Sequence, residues 1–77
     1  MTAENFESVL NALLSRQPYR VFTVELHGGT RFEIDQSRAV VIREGVAVFL
    51  GPGGVPVWFD HDNVNQIIAA PAESPEP

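Results

Sequence analysis

The run Asp60-His61-Asp62 is the one place where metal-ligating side chains stand together in this chain. In a strand the two aspartates would point one way and the histidine the other, so the three converge only on a turn. The second histidine, His27, stands beside a glycine pair far from this run. Spacing therefore gives no ligand set, and the run reads as an Asx-type turn leading into a strand. The chain has no cysteine, and Ser8, Ser15, Ser37 and Ser74 fall on a helix, a break and a tail. None stands in a strand-turn-helix glycine setting that would expose a nucleophile. Gly51-Pro52-Gly53-Gly54 lacks a following Lys-Ser/Thr, so it is a hairpin turn and not a phosphate cradle. Glu25 and Glu33 read as a solvated face. No catalytic residue, metal or cofactor is expected.

Aromatic residues are the other chemical resource. Trp58, with Phe59, Tyr19, Phe22, Phe32 and Phe49, would make a base-stacking platform if positive charge were interleaved, and Arg20, Arg31 and Arg38 are the arginines to supply it. The charge balance runs the other way. Ten acids face five arginines with no lysine, a net charge of −5 in 77 residues. Phosphate neutralisation by cations supplies much of the affinity of nucleic-acid binders, so a general polyanion surface is disfavoured. Most rings are assigned to the core, with Trp58 at an interface. Glu4 and Glu7 stand where a secretory signal needs basic and apolar segments, and no apolar run reaches membrane-spanning length. A cytoplasmic protein is expected, with no membrane partner.

The elements that would position these groups follow from periodicity. Phe6, Val9, Leu10, Leu13 and Leu14 form one helical stripe, so a helix is predicted from Thr2 or Ala3 to Gln17. Thr2 caps it, Arg16 sits in its last turn, and Pro18 stops it. Tyr19 to Asp35 then reads as a hairpin about Gly28-Gly29, with Phe22, Val24 and Leu26 on one face. A three-residue loop with a glycine bulge, pairing His27 with Arg31, sets Leu26 against Phe32, Val24 against Ile34 and Glu25 against Glu33. Gln36-Ser37-Arg38 is a break. Strands are predicted over Ala39–Ile42, Val46–Leu50, Val55–Asp60 and Val64–Ala69, with Arg43-Glu44-Gly45 as a tight turn. Pro56 has no amide hydrogen for a ladder, so its strand lies at an edge or begins there. Residues 1–70 read as one domain, and 71–77 as a disordered acidic, proline-rich tail.

The middle strands are apolar on both faces, a pattern found where both sides are covered. One helix covers only part of so small a fold. Self-association through Val48, Leu50, Val57 and Phe59 is therefore expected, giving a homo-oligomer, over the alternative that strong bending lets one run serve two parts of a single core; a protein partner is the other candidate cover.

The order of elements, with three short motifs, resembles the Sm-like fold of Sm and LSm proteins and the bacterial RNA chaperone Hfq. Leu10-Asn11-Ala12-Leu13 is similar to the Hfq helix, and Val24, Leu26, Gly29 and Phe32 have the spacing of the first Sm motif. Phe59-Asp60-His61 followed by Val64 and Ile67 resembles the aromatic-Lys-His segment and last strand. The resemblance implies a mainly β fold with one N-terminal helix: a strongly bent, five- to six-stranded antiparallel small barrel, Sm-like or SH3-like, able to form rings. It also implies single-stranded RNA binding, for which His61, Arg16, Arg31 and Trp58 are the candidate residues. Three departures bear on this. Asp60 holds the place of the RNA-contacting lysine, Gly28 replaces the Asn or Asp of the turn, and the basic end of the helix is reduced to Arg16. The stretch Pro18 to Gly29 is also similar to the P-[FY]-R-x-F-x-V-x-L-x-x-G opening of a group of small bacterial proteins of unassigned function. The expected function is a non-catalytic binding or assembly module, with RNA binding as the alternative and a metal or enzymatic site at Asp60-His61-Asp62 as a distant third.

Overall fold

The computed structural model describes residues 1–69, so the expected tail lies outside the described residues. A single helix, α1 (Ala3–Leu14), precedes six strands: β1 (Phe22–Leu26), β2 (Arg31–Ile34), β3 (Val40–Arg43), β4 (Val46–Leu50), β5 (Pro56–Asp60) and β6 (Val64–Ile68). They form two antiparallel three-stranded sheets, ordered β2-β1-β6 and β3-β4-β5. The chain passes between sheets at a 3-10 turn over Ser37–Ala39 and again at the turn over residues 61–63. Among the described residues the ladders do not close into a barrel.

α1 starts where expected: the Thr2 hydroxyl accepts from the Asn5 amide at 3.0 Å, satisfying one of the free donors of the first turn. It ends three residues before the predicted Gln17. Ser15 donates to the Asn11 carbonyl at 3.1 Å as the C-cap, and Arg16 lies beyond the helix rather than in its last turn. The stripe behaves as its spacing requires. Phe6, Leu10 and Leu13 are buried, and Val9 and Leu14 pack against the core at its margin. The Phe6 ring meets Phe59 edge-on at 5.8 Å, which fastens the helix to the second sheet.

The first hairpin differs from expectation in register. Val24 pairs with Phe32, Phe22 with Ile34 and Glu25 with Arg31. The loop has three residues, as predicted, but they are His27, Gly28 and Gly29. Leu26 donates to the Thr30 carbonyl at 2.8 Å, and both glycines hold positive φ, 96° and 94°. The shift is two residues, so each side chain keeps its face. The physical gain is electrostatic, because Glu25 now opposes an arginine instead of Glu33. The bulge also moves. It lies in the β1–β6 ladder, where the register slips between Glu25 and Leu26. In the second sheet β3 begins at Val40 and β5 at Pro56, one residue later than predicted in each case. β5 pairs only with β4, so Pro56 does sit on an edge strand.

Inward residues of both sheets meet in one core with the helix stripe. Phe22, Val24, Ile34, Ala47, Phe49, Phe59 and Val64 are buried there. The Phe32 ring stacks on Phe49 at 6.0 Å and meets Phe59 edge-on at 5.1 Å, joining β2 to β4 and β5 across the sheets. The Tyr19 hydroxyl donates to the Ile34 carbonyl at 2.7 Å, closing the core at the start of β1.

Candidate interaction surface

Antiparallel pairing sorts the second sheet into two faces. Ala47, Phe49, Val57 and Phe59 point inward. The outward face is read row by row from the register. Arg43, Val46 and Asp60 form the first row, and Val41, Val48 and Trp58 the second; Leu50 and Pro56 complete the third. Trp58 and Val41 are each 69% exposed and Leu50 is 55% exposed, with Val46 and Val55 also open to solvent. The strands expected to be apolar on both faces are so. One face closes the core, and nothing in the chain covers the other among the described residues.

The outward face of the first sheet is a control built into the same molecule. There Thr23, Glu25, Arg31, Glu33 and Gln66 are register neighbours, with Ile68, 42% exposed, the one apolar member among the paired residues of this face. Glu25 is buried and takes three donors. Arg31 Nε donates to its Oε2 at 2.9 Å, while Asn65 Nδ2 and Gln66 Nε2 each donate to Oε1 at 2.7 Å. The β6 bulge makes this possible, since it sets two consecutive residues opposite one. Hydrogen bonds from Asn65, Gln66 and Arg31, in that order, outweigh desolvation and hold the Glu25 carboxyl below its usual range. This sheet manages its surface with a polar network; the other leaves an apolar plane.

The residues expected to mediate self-association fall on both faces. Val48 and Leu50 lie outward, whereas Val57 packs against the core and Phe59 is buried within it at 3% exposure. Trp58, between those two, points outward with Pro56 and Asp60. The RNA candidates are dispersed. Trp58 lines a 140 Å³ depression with Val46, Phe59, Asp60 and Asn63. Arg31 is at the rim of a 490 Å³ groove between the sheets, floored by Phe32, Phe49 and Val57, and its Nε is held by Glu25. Arg16 borders a third depression with Gln17, Pro18 and Arg20. His61 is part of a structural corner: its Nδ1 lies 3.0 Å from the Met1 carbonyl oxygen, a contact only a protonated Nδ1 makes, and 3.4 Å from Asp62 Oδ1.

That corner explains the Asp60-His61-Asp62 run. Asp60 Oδ1 accepts from the Asn63 amide at 2.9 Å, the Asx geometry of a turn entering β6. Gly45, in the Glu44-Gly45 turn between β3 and β4, accepts from the His61 amide at 2.9 Å and donates to Glu7 Oε2 at 2.6 Å. Both turn residues hold positive φ, 52° and 79°, as a two-residue hairpin loop of this hand requires. A Cβ on Gly45 would lie 2.7 Å from the His61 ring and 2.8 Å from Ala3 Cβ, so only glycine fits where α1, the hairpin and the 61–63 turn converge. Sequence spacing gave no sign of this corner, because its members lie far apart in the chain.

Compared with family models, curated proteins and solved structures, the chain matches none. Among the described residues no helix is long and apolar enough to cross a membrane.

Proposed function

We propose that this chain is a non-catalytic binding module that docks a protein partner through the outward face of β3, β4 and β5. The observation that carries the reading is the contrast between the two outward faces: a polar network on one sheet, and Val41, Val46, Leu50 and Trp58 exposed together on the other. Exposed apolar planes of this kind mark contact surfaces, and tryptophan is enriched at their centres. The small-barrel reading, Sm-like or SH3-like in plan, is supported by the strand order and by the way β2 passes into β3 through Ser37–Ala39, a corner between two sheets. The absence of catalysis is supported by how the polar groups are engaged: Glu25 by three donors, Asp60 by its turn, Glu7 by Gly45. The RNA-binding alternative would need Arg16, Arg31, His61 and Trp58 to act together. Their separation and the net charge of −5 weigh against it.

The test is photo-cross-linking in the living cell, with p-benzoylphenylalanine replacing Trp58 in one variant and Thr23 in another. Protein adducts through position 58 and none through position 23 are expected. A chain that forms no protein adduct through position 58 would sink the proposal.

A further inference from the structure

From the charge pattern of the outward face we infer that its occupant is a second copy of this chain, related by a two-fold axis running along β4. This rests on the reading of that face as a docking surface. In the first row the β3 edge carries Arg43 and the β5 edge carries Asp60, with Val46 between them. A two-fold axis along β4 lays the β3 of one copy over the β5 of the other. Arg43 then meets the second copy's Asp60, and symmetry makes the contact twice. Val41 covers Trp58 of the second copy, while Val46, Val48 and Leu50 each meet their own counterparts. The face is thus self-complementary in charge and in shape class, which an isologous interface demands. The other in-plane two-fold axis, across the strands, lays the charged row over Leu50 and Pro56 and leaves both ions facing apolar surface, which is costly.

The Asp60 corner is shaped to receive the arginine. The 140 Å³ depression there is walled by Trp58 and Asp60, with Val46 and Asn63 beside them. A guanidinium entering it meets a carboxylate and an indole together. Asp60 uses Oδ1 for the Asn63 amide, and its other oxygen has no partner among the described residues. Arg43 is exposed and makes no ion pair among the described residues. Three short strands, at a spacing of about 4.8 Å, give a face smaller than the roughly 800 Å² per partner of a standard interface. The pair is therefore a small, reversible one.

The test uses the whole chain, whose lack of cysteine and single tryptophan make it convenient. Sedimentation across a dilution series should show a species of twice 8.5 kDa, with Trp58 emission shifting to the red as it dissociates. Single Val46→Cys and Leu50→Cys variants should form a disulfide with their own copies under mild oxidant, and Val41→Cys should not. Arg43→Glu, at an exposed position, should weaken the pair about tenfold or more, because two attractive contacts become repulsive. Adding Asp60→Arg should restore it, provided circular dichroism shows that the turn survives; Asp60→Asn, which keeps the turn acceptor, should weaken the pair on its own. A monomer at millimolar concentration, a ring of five to seven copies, or cross-linking through Val41→Cys in place of Val46→Cys overturns the inference. A monomer whose position 58 still cross-links to a different protein overturns the self-pairing alone. A monomer with no adduct through position 58 overturns the docking surface as well.

Discussion

Glu25 collects three donors, and its depressed pKa has a definite consequence for stability against pH. The unfolded chain titrates this carboxyl near its ordinary value of 4.5, and the folded chain titrates it lower. Its contribution is therefore fully present above pH 4.5 and is lost as pH falls through the lower, folded value. Glu25→Gln should lower the thermal midpoint at pH 7, and its difference from the parent should shrink steadily below pH 4.5. A difference that stays constant down to pH 3 would mean that the charge of Glu25 contributes nothing. Glycines give a second contrast at this scale. Gly45→Ala meets both a positive φ and two clashing neighbours, so it should cost about 2 kcal/mol or more. Gly53→Ala has a positive φ but open space, and should cost only about 1 kcal/mol. Urea midpoints of the two variants check the order.

At the scale of elements, neighbouring residues of β5 should behave oppositely. Phe59→Ala removes a ring that touches Phe6 and Phe32, and should cost about 3–5 kcal/mol in urea unfolding. Trp58→Ser is a surface change and should stay within about 0.5 kcal/mol in the dilute chain. All six strands and the helical stripe were legible in the sequence, but which residues of β5 face inward was not, because the run from Val55 to Phe59 is apolar throughout. Registers between strands were also less legible. A period of two is unchanged by a shift of two, so the apolar pattern about Gly28-Gly29 could not distinguish Glu25 against Glu33 from Glu25 against Arg31. A different limit divided the residues expected to self-associate: a one-residue slip exchanges faces, and strands apolar on both faces do not reveal which parity is adopted. Val48 and Leu50 share a face with Trp58 because Leu50 pairs with Pro56, and that pairing depends on the conformation of the loop from Gly51 to Val55. The helix end was misread because Pro18 forbids continuation without requiring the helix to reach it.

For the whole molecule, the two sheets divide the work: one outward face is finished with polar contacts and the other is left apolar. Charge limits what can approach. With a net charge of −5 and its arginines scattered, the chain should not shift a short U-rich or A-rich RNA in a gel at micromolar protein and about 150 mM salt. A shift that disappears steeply with added salt would favour RNA binding. The apolar character of β3 to β5 was readable from composition alone. The polar network of Glu25 was not, because it joins residues 40 and 41 positions apart through a bulge that leaves no mark on local periodicity.

The pairing of β1 with β6 also orders events during synthesis. β1 gains β2 at once, but its other neighbour begins only at Val64. At a ribosomal rate of 5–20 residues per second, the interval between Leu26 and Val64 lasts roughly 2–8 s. The meander of β3, β4 and β5 is complete before that interval ends, and it then shows apolar residues on its inner and outer faces alike. The growing chain is therefore most adhesive just before its sixth strand is made. Emergence of Val64 to Ile68 completes the first sheet and delivers Asn65 and Gln66 to a carboxylate that until then has only Arg31.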